Sequence, residues 1–103
     1  MANDRDELQA ELEDLLGSEN VYFQPPESKK ISYPCIVYEL SRIETRKADN
    51  AIYKFNKRWT ITYITKKAYT SFPEKILSHF QMSSYDRHYV SDNLHHDVIT
   101  VYY

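Results

Sequence analysis

The run His95-His96-Asp97 holds the densest set of metal-ligating side-chain types in the sequence. Successive strand residues point to opposite faces, so His95 and Asp97 share one face while His96 lies on the other, and the two histidines do not readily ligate one ion. With a single cysteine and no helix carrying two histidines four residues apart, the run reads as polar residues where a strand begins. No metal, cofactor or catalytic residue is expected. A small metal-dependent hydrolase using His95 and Asp97 is the enzymatic alternative, and it would require metal-dependent activity.

The other chemically capable residues point the same way. Cys35 stands in the apolar run Tyr33-Pro34-Cys35-Ile36-Val37-Tyr38, whereas a reactive thiol needs an exposed electropositive setting, so an inert core thiol is expected. Carboxylates cluster near the start of the chain, but on the outer face of an amphipathic helix, where they are solvated. Gly17 is the only glycine, and a phosphate-cradling loop needs several, which excludes the nucleotide-binding fingerprints. One cysteine excludes an internal disulfide. No window approaches the roughly 20 apolar residues of a membrane span, and no segment reads as a signal peptide. A cytoplasmic, non-membrane, non-enzymatic protein is the expectation.

The elements that position these residues follow from periodicity. Asn3 and Asp6 form a capping-box pattern, Leu8, Leu12, Leu15 and Leu16 fall on one helical face, and Gly17 suits a left-handed cap, which predicts a helix over 4–16. Val21-Tyr22-Phe23-Gln24 before Pro25-Pro26 predicts a short edge strand or arm over 21–26. Pro34 should lie at the start of a strand covered on both faces. A long hairpin turns at the polar stretch Lys47–Asn50. Its second strand places Tyr53, Phe55, Trp59, Ile61 and Tyr63 on one side and polar residues on the other.

Ser71-Phe72-Pro73-Glu74 reads as a second capping box opening a helix over 72–80. Two strands near 85–91 and 96–103 are joined at Asp92-Asn93. The 103 residues fit one domain: helix 4–16, arm 21–26, then sheet and second helix over 31–103. The predicted fold is α+β, a mainly antiparallel sheet of four to five strands with two helices packed on one face.

Charge and aromatic content point to surfaces. Residues 1–16 carry six acids and one base, while the remainder carries nine acids and twelve bases. Ten tyrosines in one small domain exceed what a core needs, and tyrosine serves wet interfaces well. The last strand, closing on Val101-Tyr102-Tyr103, is expected to present an edge that invites pairing with another chain. Basic pairs at Lys29-Lys30, Arg46-Lys47, Lys57-Arg58 and Lys66-Lys67 near aromatic rings leave a second reading, a nucleic-acid-binding regulator using Tyr and Trp stacking.

The segments Val21–Pro26, Tyr33–Tyr38, Trp59-Thr60-Ile61-Thr62 and Asp92–Asp97 leading into an aromatic strand resemble the small tail-terminator and neck proteins of long-tailed bacteriophages. The resemblance implies an α+β subunit of a homo-oligomeric ring, commonly a hexamer. Such a ring caps the tail tube, meets the tube protein and a head-completion or connector protein, and carries nucleic acid only as DNA passing through its lumen. It also implies assembly in the bacterial cytoplasm and a place in the virion neck. The charge split places Glu11 and Asp14 of one copy against Lys57 and Arg58 of the next, with Tyr102 and Tyr103 as further interface residues.

Overall fold

The computed structural model describes residues 5–25, 30–48 and 51–103, and within these the side chains of 44–48 and 51–56 are not described. The element order is α1 (Arg5–Leu16), β1 (Val21–Phe23), β2 (Cys35–Ala48), β3 (Ala51–Thr65), α2 (Phe72–His79), β4 (Ser83–Ser91) and β5 (Leu94–Tyr102). The strands form one sheet in the order β1-β2-β3-β5-β4. Only β1 and β2 run parallel; every other neighbouring pair is antiparallel. This is the α+β fold expected from the residue pattern.

Alternation along the strands defines the core. Ile36, Tyr38, Trp59, Ile61, Tyr63, Ile99 and Val101 fall on the same side of the sheet and join Leu8 and Leu12 of α1 and Ile76 of α2 in one buried cluster. Tyr38, Ile61 and Ile99 are fully buried and lie in successive register across β2, β3 and β5. Each such side chain contributes about 1.5–3 kcal/mol through burial. Both helices therefore cover one face. Cys35, Ile64 and Val98 are buried on the opposite side, where neither helix packs.

Local signals explain where most elements stop. Gly17, at φ 75°, receives the end of α1, and its N–H donates to the Glu13 carbonyl at 2.8 Å. The α1 C-terminus lacks a basic residue of its own; Lys75 of α2 donates to the Leu15 carbonyl at 2.9 Å and supplies the cation that this dipole end favours. Gln9 holds the helix to the sheet, its side-chain amide donating to the Val21 carbonyl at 2.9 Å while its oxygen accepts from the Tyr38 hydroxyl. Asp92 and Asn93 sit at φ 53° and 62° between the paired residues Ser91 and Leu94, the two positive angles of a type I′ hairpin.

Two expectations require correction. The last strand is not an edge: β5 lies between β3 and β4, so β1 borders the sheet on one side and β4 on the other. A bulge at Asp86, beside the charged Arg87, interrupts that border and discourages another strand from pairing there. At α2, Ser71 makes no side-chain cap, because its φ of −88° and ψ of 2° depart from the extended backbone of a capping residue. The Ser71 carbonyl instead accepts from Glu74 and Lys75 N–H groups. The Asn3 half of the first capping box lies outside the described residues.

Candidate assembly interface

The hairpin of β2 and β3 is much longer than the sheet it belongs to. β1 pairs only with Ile36–Tyr38 on one side, and β5 only with Arg58–Thr65 on the other. Beyond Leu40 and Arg58 the two strands continue paired with each other alone as far as Ala48 and Ala51. This ribbon projects roughly 20 Å past its last neighbouring strand, and the molecule measures 51 × 28 × 23 Å. Residues 42–58 contain six bases, including Arg42, Arg46, Lys54 and Arg58, against two acids. The arm is thus a basic ribbon with two open edges among the described residues.

The six interface residues expected from the sequence fall in different settings. Glu11 is engaged within its own subunit, accepting from His79 Nε2 at 2.7 Å and from the Tyr103 hydroxyl. Burial raises its pKa, but the bonds from Tyr103 and His79 and the nearby His79 charge outweigh this and leave it below the usual carboxylate value. Tyr103 is held equally firmly: its N–H donates to the Lys57 carbonyl at 3.1 Å, and its ring meets Phe80 edge to face with centroids 5.8 Å apart. Both side chains stabilise the subunit rather than standing free at its surface.

The other four remain at the surface in part or whole. Asp14 is exposed beside Glu13 and Glu19 in a shallow depression past the end of α1. Lys57 and Arg58 mark the root of the arm, where Arg58 Nε donates to the Ser41 hydroxyl at 3.3 Å. Tyr102 is 36% exposed on the face opposite the helices, in register with Arg58. Acidic α1 and the basic arm thus occupy different parts of the surface.

The histidine run resolves as alternation requires. His95 and Asp97 lie on the helix-covered face, and His96 on the other, where its ring stacks on Tyr89 at 4.5 Å. Asp97 accepts from His88 Nδ1 at 2.8 Å and from the Tyr85 hydroxyl at 2.7 Å. His88 Nε2 in turn faces His95 Nδ1 at 3.1 Å. The bond to Asp97, followed by burial and the carboxylate charge, pushes the Tyr85 phenol up to about 12 and keeps it a donor. His88 and Tyr85 were not singled out in the sequence. Counting outward from the two-residue turn at 92–93 places His88 directly opposite Asp97.

Among the described residues no group of three or more His, Cys, Asp or Glu is arranged to hold a metal ion. No described helix is long and apolar enough to cross a membrane. No family model matches the chain, and no curated protein or solved structure shows significant similarity to it.

Proposed function

We propose that this chain is a non-enzymatic assembly subunit: a ring component of a phage neck that caps the tail tube and meets the head connector. The family reading comes from the sequence resemblance. The observation that carries the assembly reading is the projecting arm. A two-stranded ribbon without further strands or a helix against it is marginally stable in water. An arm of this length is rational when another surface completes it. In a closed ring each copy offers its arm to the next, and rotational symmetry leaves no arm unused.

Charge suggests the receiving surface. With Glu11 tied to His79 and Tyr103, the acidic groups offered to a neighbour's arm are Asp14 in the last turn of α1 and Glu19 just beyond it. Complementary charge orients the approach of subunits and selects the register of docking. The expected ring is a homo-oligomer, hexameric in keeping with the resemblance, with DNA only in its lumen.

Native mass measurement and particle microscopy of the purified protein, alone and with tail-tube ends, test this reading. The expected result is one closed ring of uniform size. Replacing residues 44–56 with a two-residue Asn-Gly turn, which joins the paired residues Ile43 and Lys57, should leave a folded monomer that no longer assembles. A wild-type chain that stays monomeric under both conditions overturns the proposal. Binding to single-stranded DNA that weakens steeply with salt would instead support the nucleic-acid regulator.

A further inference from the structure

Between the segment 66–70, the first turn of α2 and the β4–β5 hairpin lies a cleft of about 400 Å³, large enough for a small ligand or a long side chain. Pro73 and Leu77 give it an apolar wall. Its polar groups are one-sided. Both hydrogen bonds to Asp97 fall on Oδ1, leaving Oδ2 without a donor among the described residues. The carboxylate of Glu74, which lines the same cleft, is exposed and has no hydrogen-bond or ion-pair partner among the described residues. The Thr70 hydroxyl in the wall is buried without a partner among the described residues.

We propose that this cleft binds an organic cation, a guanidinium or alkylammonium group, seated between the carboxylates of Asp97 and Glu74 and the rings of Tyr69 and Tyr85. Two carboxylates repel an anion, and a neutral ligand leaves them unpaired. His88 is held within the wall, with Nδ1 on Asp97 Oδ1 and Nε2 on His95 Nδ1, so neither ring nitrogen is left to bind an anion in the cleft. Tyr69 is 78% exposed at the rim and Tyr85 is 45% exposed. Aromatic faces beside carboxylates are a recurring environment for organic cations, since the ring quadrupole attracts positive charge without demanding metal-like coordination. The apolar wall accepts the methylene stem that carries such a group. Tyr85 and His88 act as positioning residues, fixing Asp97 Oδ1 so that Oδ2 addresses the ligand.

The cation has two chemical sources, a free amine or a basic side chain of another chain, and neither depends on the ring reading. Isotope-labelled protein is titrated with agmatine, with uncharged butylurea, and with a capped peptide of residues 41–58. Saturable shifts at the amides of 69–77 and 85–97 are expected with agmatine or the peptide, and butylurea should bind about tenfold more weakly or worse. Agmatine binding assigns a small-molecule site, and tighter peptide binding assigns a second copy's arm. Glu74→Gln, an exposed change that leaves the fold intact, and Asp97→Asn should each weaken binding about fivefold or more. No response to either cation, equal binding of butylurea, or unchanged affinity in Glu74→Gln overturns the proposal.

Discussion

The hydroxyl of Tyr103 donates to the carboxylate of Glu11, joining the residue after β5 to the first helix across 92 positions of sequence. His79 of α2 reaches the other oxygen of the same carboxylate at 2.7 Å. One side chain of α1 therefore ties together both helices and the end of the inner strand β5.

Removing either partner should weaken the fold. Tyr103→Phe is expected to cost about 1 kcal/mol, the usual net value of one such bond, read as a lower urea midpoint at pH 7. Glu11→Lys should cost more, because it sets a cation against His79 and leaves Tyr103 without its acceptor. The pH dependence has a definite sign. A carboxyl held below its unfolded value contributes stability above the unfolded value and loses it as pH falls through the folded one. Urea midpoints of the wild type should therefore drop on acidification through the carboxylate range. Glu11→Gln should remove part of that drop, and an identical pH profile for Glu11→Gln would refute the assignment.

Cys35 should be inert in the native state. Burial pushes its thiol up to about 12, so almost no thiolate exists at pH 8. A disulfide reagent such as DTNB should leave the folded protein unmodified for hours and titrate one thiol promptly in denaturant. Rapid native labelling at pH 8 would contradict the burial described for this residue.

The central strands should dominate stability. Ile99→Ala, opposite the equally buried Ile61, is expected to cost about 2–5 kcal/mol, and deletion of 98–103 should abolish soluble folded protein. Ile43 at the root of the arm is 50% exposed, so Ile43→Ala should change subunit stability by no more than about 0.5 kcal/mol. Thermal midpoints of the two variants, measured side by side, test this contrast.

How far the sequence anticipates these features depends on the range of the interaction. Leu8 and Leu12 on one helical face, Trp59, Ile61 and Tyr63 on one strand face, and the Asp92-Asn93 turn are local patterns, and the structure agrees with each. The placement of β5 between β3 and β4 is non-local, because alternation says which way a residue faces and not which strand lies beside it. Glu11 looked like a solvated helix charge for the same reason: its partners His79 and Tyr103 are 68 and 92 positions away. His88 is the intermediate case. The two-residue turn fixes the hairpin register, so its meeting with Asp97 was legible from the turn length but not from motif composition.

The inner position of β5 has a consequence for how the protein is made. On the ribosome, β2 and β3 are complete long before residues 94–102 emerge, and α2 and β4 follow without closing the gap. Until then the inner border of β3 is unpaired and Trp59, Ile61 and Tyr63 lack the Ile99 and Val101 layer beside them. Nascent chains pass through an interval with a bare aromatic strand border, the state in which strand-rich intermediates stick to one another. A chain halted before β5 emerges should therefore aggregate more readily than the full-length chain.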